Sequence, residues 1–317
     1  MELEPIKDLI DYAPKKVLKQ ILLNTDPRDL SIVCATNSKV AKVCRSLKFR
    51  KLYNEKYPEY EINVDDAFTS PTRVGAGAEG EVFIVKKGSP KQEYAMKVIH
   101  TRGRKDSYVR NVWRTLKNHA SLAHPNIIKY IRTTGPDFHG DINVYMEKCD
   151  TDLITYSMGK TLTETGALNI IRQIAEGLKY LHDKGYIHRD IKGENIMLCN
   201  GNWKLIDFGF LEKFDKPHEL RGTLDFLAPE VVDNKPDVGK PSDVWSLGIT
   251  LYELYFGQVP FMMTTKTGTL LSILNDPIPF YKENRPISPK LKKLLEGMLM
   301  KDPKNRWTVD QVLNFIK

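Results

Sequence analysis

Residues 186–209 read YIHRDIKGENIMLCNGNWKLIDFG. His188, Arg189, Asp190, Lys192 and Asn195 crowd into one short run, and Asp207 follows an apolar strand and precedes a glycine bend. An aspartate and an asparagine five positions apart suit one proton acceptor and one metal ligand on a single loop. Asn195 and Asp207 together offer the hard oxygen ligands that Mg2+ or Mn2+ takes. Each piece arises easily by chance; this order at these separations does not.

Working outward, GAGAEGEV places Gly75, Gly77 and Gly80 ahead of Val82. Alone, that spacing fits a dinucleotide fold, a loop over phosphates or a plain turn. A dinucleotide fingerprint opens a helix, whereas EVFIVKK continues as a strand, which favours a loop draped over phosphates between two strands. Lys97 stands among apolar strand residues in YAMKV. A buried ammonium without an anion is costly, and nucleotide phosphates would supply one. The competing reading is a lysine that reaches water at a sheet edge.

The texture of the chain changes near residue 68. FTSPTRVGAGAEGEVFIVKKGSPKQEYAMKVIH holds two alternating apolar runs around the turn-like KKGSPKQ, a hairpin. A basic helix follows, then two more strands in IIKYIRTTGPDFHGDINVYMEKC. After Asp150 a helical period dominates, in ALNIIRQIAEGLKYLHDKG, PSDVWSLGITLYELYFG, SPKLKKLLEGMLM and TVDQVLNFIK. A β-rich lobe thus precedes a helical one, an α+β organisation joined by MEKCDTDL, and ligand sites favour such boundaries.

From about residue 68 to residue 317 the chain resembles a eukaryotic-type protein kinase domain. The carrying motifs are G-x-G-x-x-G-x-V, the strand lysine, H-R-D-x-x-x-x-N, D-F-G and A-P-E. Lys192 and the GT of GTLDFLAPE resemble the serine/threonine branch. The resemblance implies a bilobal fold, with an N-lobe over 68–147 and a C-lobe over 151–317. It implies transfer of the ATP γ-phosphoryl group to serine or threonine hydroxyls of protein substrates. Val74, Gly75, Gly77 and Gly80 would cover the nucleotide, and Lys97 would hold its α- and β-phosphates. Val82, Ala95 and Met197 would sandwich adenine, with Met146 as gatekeeper. Glu147 and Cys149 would offer backbone groups and Asp152 a ribose contact. Asp190 would accept the substrate proton, Lys192 would stabilise the moving phosphoryl group, and Asn195 and Asp207 would bind the metal. Glu230 should pair with Arg306, and Asp243 should brace the backbone near His188. The alternative is a scaffold whose lobes only present a surface.

Two features depart from the family pattern. Between Gly209 and Thr223 there is no serine, threonine or tyrosine, and Glu219 stands where many kinases carry a phosphothreonine that pairs with the arginine of H-R-D. A carboxylate there can pair with Arg189 unmodified, so the segment is expected to order without phosphorylation; the alternative is a solvated surface acid. Second, the helix of TRGRKDSYVRNVWRTLKNHASLAHPNII contains no glutamate. Thr115 occupies the place from which that residue would meet Lys97, and Asp106 lies about 13 Å further back along the axis. Asn111 and Asn118 share the face of Thr115 but bring no charge. In one reading Lys97 relies on ATP and Asp207, or borrows Glu79 or Glu81. In the other, the helix swings away until a partner seats it.

Residues 1–60 read as about three short helices, with Val17, Leu18, Ile21 and Leu22 on one stripe, and residues 61–67 as a linker. The segment resembles an F-box, at the head of a short kinase like those of large DNA viruses. An F-box would dock a Skp1-like adaptor; the alternative is a helical cap on the kinase. The net charge of +8 is spread along the chain, and no specific nucleic-acid partner is expected. No secretory signal or membrane span is read. Cys34, Cys44, Cys149 and Cys199 form no C-x-x-C pair, which suggests reduced thiols in a cytoplasmic or nuclear setting, in the host cell or virion if the source is viral.

Overall fold

The computed structural model describes residues 15–25, 40, 43, 49, 52, 55–56, 68–77, 80–88, 90–101, 103–134, 141–160, 162–209, 211–213, 222–233, 238–280 and 285–317. The chain divides into two compact units, residues 1–121 with 130–148, and residues 122–129 with 149–317.

The first unit carries helix α1 (Lys15–Asn24) and a five-stranded antiparallel sheet. Its strands are β1 (Phe68–Gly77), β2 (Gly80–Lys87), β3 (Gln92–His100), β4 (Tyr130–Thr134) and β5 (Asp141–Glu147), in the order β1-β2-β3-β5-β4. The glycine-rich stretch is therefore part of a three-strand meander, one strand more than the apolar pattern alone indicates. Pro71 hides β1 from a pattern search, yet β1 is an edge strand, where a missing N–H is tolerated, and the register shifts between Thr69 and Thr72. Helix α2 (Asp106–Ala120) packs Leu116, Val112 and Trp113 against Ile99, Ile142, Val144 and Met146. In α1, Leu18 and Leu22 are fully buried, as the stripe requires, and Lys56 Nζ donates to Leu23 O (2.9 Å) and Asn24 Oδ1 (2.6 Å) at its end. Of the rest of the proposed F-box-like segment only positions 40, 43, 49, 52 and 55–56 are described, with Val40, Val43 and Phe49 buried, and the 61–67 linker lies outside the described residues.

The second unit is mainly helical. Its long elements are α4 (Glu164–Asp183) and α6 (Lys240–Phe256), with α3 (Leu153–Ser157) before them and α5 (Pro229–Val232) between. Helices α7 (Lys266–Asn275), α8 (Pro289–Met298) and α9 (Val309–Ile316) follow. Thr163, Ser288 and Thr308 cap α4, α8 and α9 through side-chain oxygens, which satisfies amides the helices cannot. Helix α6 is buried on almost every face, including Trp245, Leu247, Ile249, Leu251 and Tyr252, and so forms the centre of this unit. Two small sheets hold the loops: β6 (Thr151–Asp152), β8 (Ile196–Cys199) and β9 (Asn202–Leu205) in one, and β7 (Tyr186–Ile187) with β10 (Glu212–Lys213) in the other.

Cys149 and Cys199 are joined by a disulfide of 1.99 Å, which corrects the expectation of reduced thiols for this pair. Fifty residues separate them, so no spacing motif marks them; the antiparallel pairing of β6 with β8 brings them together. Cys34 and Cys44 lie outside the described residues. Among the described residues no helix is long and apolar enough to cross a membrane.

Candidate active site

The loop between β7 and β8 carries the central cluster. Asp190 Oδ2 accepts from Asn195 Nδ2 at 2.7 Å, and Asp190 Oδ1 accepts from Thr223 Oγ1 at 2.8 Å and Thr223 N at 3.1 Å. Lys192 Nζ donates to Thr223 Oγ1 at 2.6 Å and stands 3.4 Å from Asp190 Oδ2. Four residues named from the sequence thus meet around one carboxylate. Gly222 makes the approach of Thr223 possible: its φ is +115°, and a Cβ there would stand 2.8 Å from Arg189 O.

The loop is held from beneath. Asp243, buried on α6, accepts from the amides of His188 and Arg189, both at 2.8 Å, as the family pattern implies. It also accepts from His182 Nε2 at 3.0 Å, a contact not anticipated from sequence. Burial alone would raise the Asp243 carboxyl. The hydrogen bonds from His182 and the Arg189 amide outweigh it and hold the group below the usual carboxylate range. This anchorage keeps Arg189 at φ +74°, a left-handed conformation that a non-glycine residue adopts only where its surroundings enforce it.

His188 Nε2 donates to Ile206 O (3.0 Å), while its Nδ1 accepts from Asp190 N (3.3 Å), so a single tautomer serves both bonds. Ile206 N in turn donates to Asn195 O at 2.9 Å. The segment that carries Asp207 is thereby tied to the loop that carries Asn195. Asp207 itself has φ +54°, and its Oδ1 accepts from Gly209 N at 3.2 Å.

These residues suit a Mg2+ ion held together with a nucleotide. Asn195 spends its amide nitrogen on Asp190, which leaves its carbonyl oxygen as an acceptor, and Asp207 adds a carboxylate. Among the described residues no group of three or more His, Cys, Asp or Glu could cage a metal alone. Asn195 and Asp207 would hold such an ion together with phosphate oxygens and water.

Arg189 does not wait for a distant partner. Its Nη1 donates to Glu212 Oε2 at 2.7 Å, with the two side chains only 6% and 20% exposed. The β7–β10 pairing, Ile187 opposite Glu212, puts them together. Glu219, the partner expected from the sequence, lies outside the described residues, as do Glu79 and Ala78 of the glycine-rich turn.

In the first unit, the register aligns Val82 with Lys97, Lys97 with Val144, and Ala95 with Met146. Side chains alternate between faces, so Val82, Ala95, Lys97, Val144 and Met146 share the face that α2 covers. Glu81 stands opposite Val98, on the other face, where it binds Arg73 at 2.6 Å. It is therefore not the substitute partner for Lys97 that the sequence left open. Gly80 has φ +153°, and a Cβ there would meet Val98 O at 1.7 Å, whereas a Cβ on Gly75 would meet nothing within 4 Å. Gly80 is required by the sheet, whereas Gly75 faces open space. Val74 is 58% exposed.

In the second unit Asp152 stands opposite Met197 across β6 and β8. Its carboxylate caps α3, accepting from Thr155 N (2.8 Å) and Thr155 Oγ1 (2.7 Å). Glu230 and Arg306 form a bidentate pair at 2.7 and 2.8 Å with neither side chain exposed.

Residues 68–315 match the protein kinase domain family. The chain is 33% identical over 265 residues to the serine/threonine-protein kinase CST20 of Candida albicans, covering 80% of this chain and 21% of that protein. It is 32% identical over 257 residues to the serine/threonine-protein kinase STE20 of Saccharomyces cerevisiae (78% and 26%). To STE20 of Kluyveromyces lactis it is 34% identical over 251 residues (76% and 24%). The alignments span about a quarter of the length of these curated relatives. Motifs, fold and relatives agree, and the chain belongs to the protein kinase family, with a serine/threonine protein kinase domain from residue 68 to residue 315.

Proposed function

We propose that the protein transfers the γ-phosphoryl group of ATP to serine or threonine hydroxyls of protein substrates, and that its activation segment is ordered without phosphorylation. The observation that carries the first part is the Asp190 carboxylate, fixed by Asn195 and Thr223 with the Lys192 ammonium beside it. Asp190 takes the proton of the acceptor hydroxyl as that oxygen attacks. Lys192 supplies positive charge beside it without reorganisation, because Thr223 Oγ1 already fixes its position. Bound ATP and Mg2+ supply the phosphoryl group and the charge that offsets its oxygens.

The second part rests on Arg189 and Glu212. Arg189 has a carboxylate partner built into β10, and residues 210–222 contain no hydroxyl to phosphorylate. Glu219 remains a proposed second acid for the same guanidinium.

Substrates with basic residues near the acceptor fit the acid Glu194, two residues after Lys192. A degenerate peptide library phosphorylated by the full chain tests activity and this preference together. No enrichment of Lys or Arg would remove the preference.

The scaffold reading, with a Skp1-like adaptor on the first sixty residues, has less support. Leu18, Leu22, Val40, Val43 and Phe49 are buried, so these apolar positions are not themselves a free docking surface. Pull-down of a Skp1 homologue by the intact protein would reverse that preference.

A further inference from the structure

Cys199 is fully buried at the end of β8, while Cys149 keeps partial exposure. Beside their bond, Asp150 N donates to Leu198 O at 2.7 Å, and Asp152 stands opposite Met197. Met197 and Cys199 are two positions apart on one strand and share a face. The disulfide therefore fastens residues 149–152 to the strand that carries Met197. Cys149, Asp152 and Met197 are the nucleotide-binding residues that this unit contributes in the kinase reading, on which the inference rests.

We propose that Cys149 and Cys199 are a reversible redox modification site that sets the affinity of the protein for nucleotide. The bonded form pre-organises Cys149 and Asp152 against Met197. The reactant that opens it is a small thiol of the glutathione class. Its thiolate attacks Sγ of Cys149, the accessible sulfur, and forms a mixed disulfide while Cys199 leaves as a thiolate. A second reductant thiolate attacks the mixed disulfide and releases Cys149. Two electrons have passed to the protein, the reductant leaves as its own disulfide, and its two protons finish on the two protein thiols. In the reduced form the segment keeps the β6–β8 pairing and the Asp152 cap of α3 but loses its covalent tie, so nucleotide has more to order on binding.

The test uses the full chain, prepared with oxidised or with reduced glutathione. Alkylation of the denatured protein and peptide mapping report the bond, and calorimetry with Mg-ATP reports affinity. We expect Cys149 and Cys199 protected from alkylation after oxidation and both labelled after reduction, with Kd for ATP rising about five-fold on reduction. Cys149→Ser and Cys199→Ser should each bind ATP like the reduced protein in both buffers, which also removes any contribution of Cys34 or Cys44. Labelling of both cysteines in the oxidised protein overturns the proposal, as does a Kd that does not respond to reduction. Absence of ATP binding in every form overturns the kinase reading beneath it instead.

Discussion

Arg189 Nη1 donates to Glu212 Oε2 across 2.7 Å, and the pair joins the catalytic loop to the start of the activation segment. Arg189, next to the proposed catalytic aspartate, thus has a carboxylate partner on β10. Because Arg189 is nearly buried, removing that charge leaves a guanidinium with a large desolvation cost. Glu212→Gln is expected to lower kcat about ten-fold with little change in KM for ATP, while Glu212→Asp recovers part of the loss. Steady-state kinetics checks this; an unchanged kcat would remove Glu212 from the account.

Glu230 and Arg306 make the strongest single prediction about stability. Both are fully buried, and Arg306 also donates to Pro241 O and Met300 O. Replacing one member strands the other, so Glu230→Gln should cost about 3–5 kcal/mol in urea unfolding. The double replacement with Arg306→Met should cost less than the sum of the single ones.

Glu253 makes stability depend on pH. Burial, aided by Glu194 and Asp225, pushes its carboxyl up to about 7 from 4.5. Between those values the folded state holds the proton more often than the unfolded chain, so stability falls as pH rises through this window. Glu253→Gln should therefore match the wild type near pH 4 and exceed it by about 1–2 kcal/mol near pH 8, a figure reduced for its partial exposure. Urea midpoints at the two pH values measure it.

The glycines of the first unit separate fold from function. Gly80→Ala forces a Cβ into Val98 O and should destabilise the unit by about 2 kcal/mol or more. Gly75→Ala has open space, so its melting temperature should hold while KM for ATP rises. Equal loss of stability in both would contradict this division.

The catalytic cluster was legible because its residues lie close in sequence, where loop motifs fix spacing. Glu230–Arg306 and Asp243 came from the resemblance, since no local pattern links residues so far apart. Glu212, His182 and the Cys149–Cys199 bond were not legible. Each depends on long-range packing or on pairings of two-residue strands too short to leave a period. Strand β1 was concealed by Pro71, and whether Glu81 could serve Lys97 stayed open because only the register shows that the two occupy opposite faces.

The central claim is phosphoryl transfer by Asp190 without a phosphorylated activation segment. The direct measurement is transfer from radiolabelled ATP to a protein acceptor by phosphatase-treated wild type, beside Asp190→Ala. The account predicts labelled serine or threonine at a rate that phosphatase treatment leaves unchanged, and a loss of at least about a hundred-fold in Asp190→Ala. No transfer by either protein, or transfer abolished by the phosphatase, would contradict it.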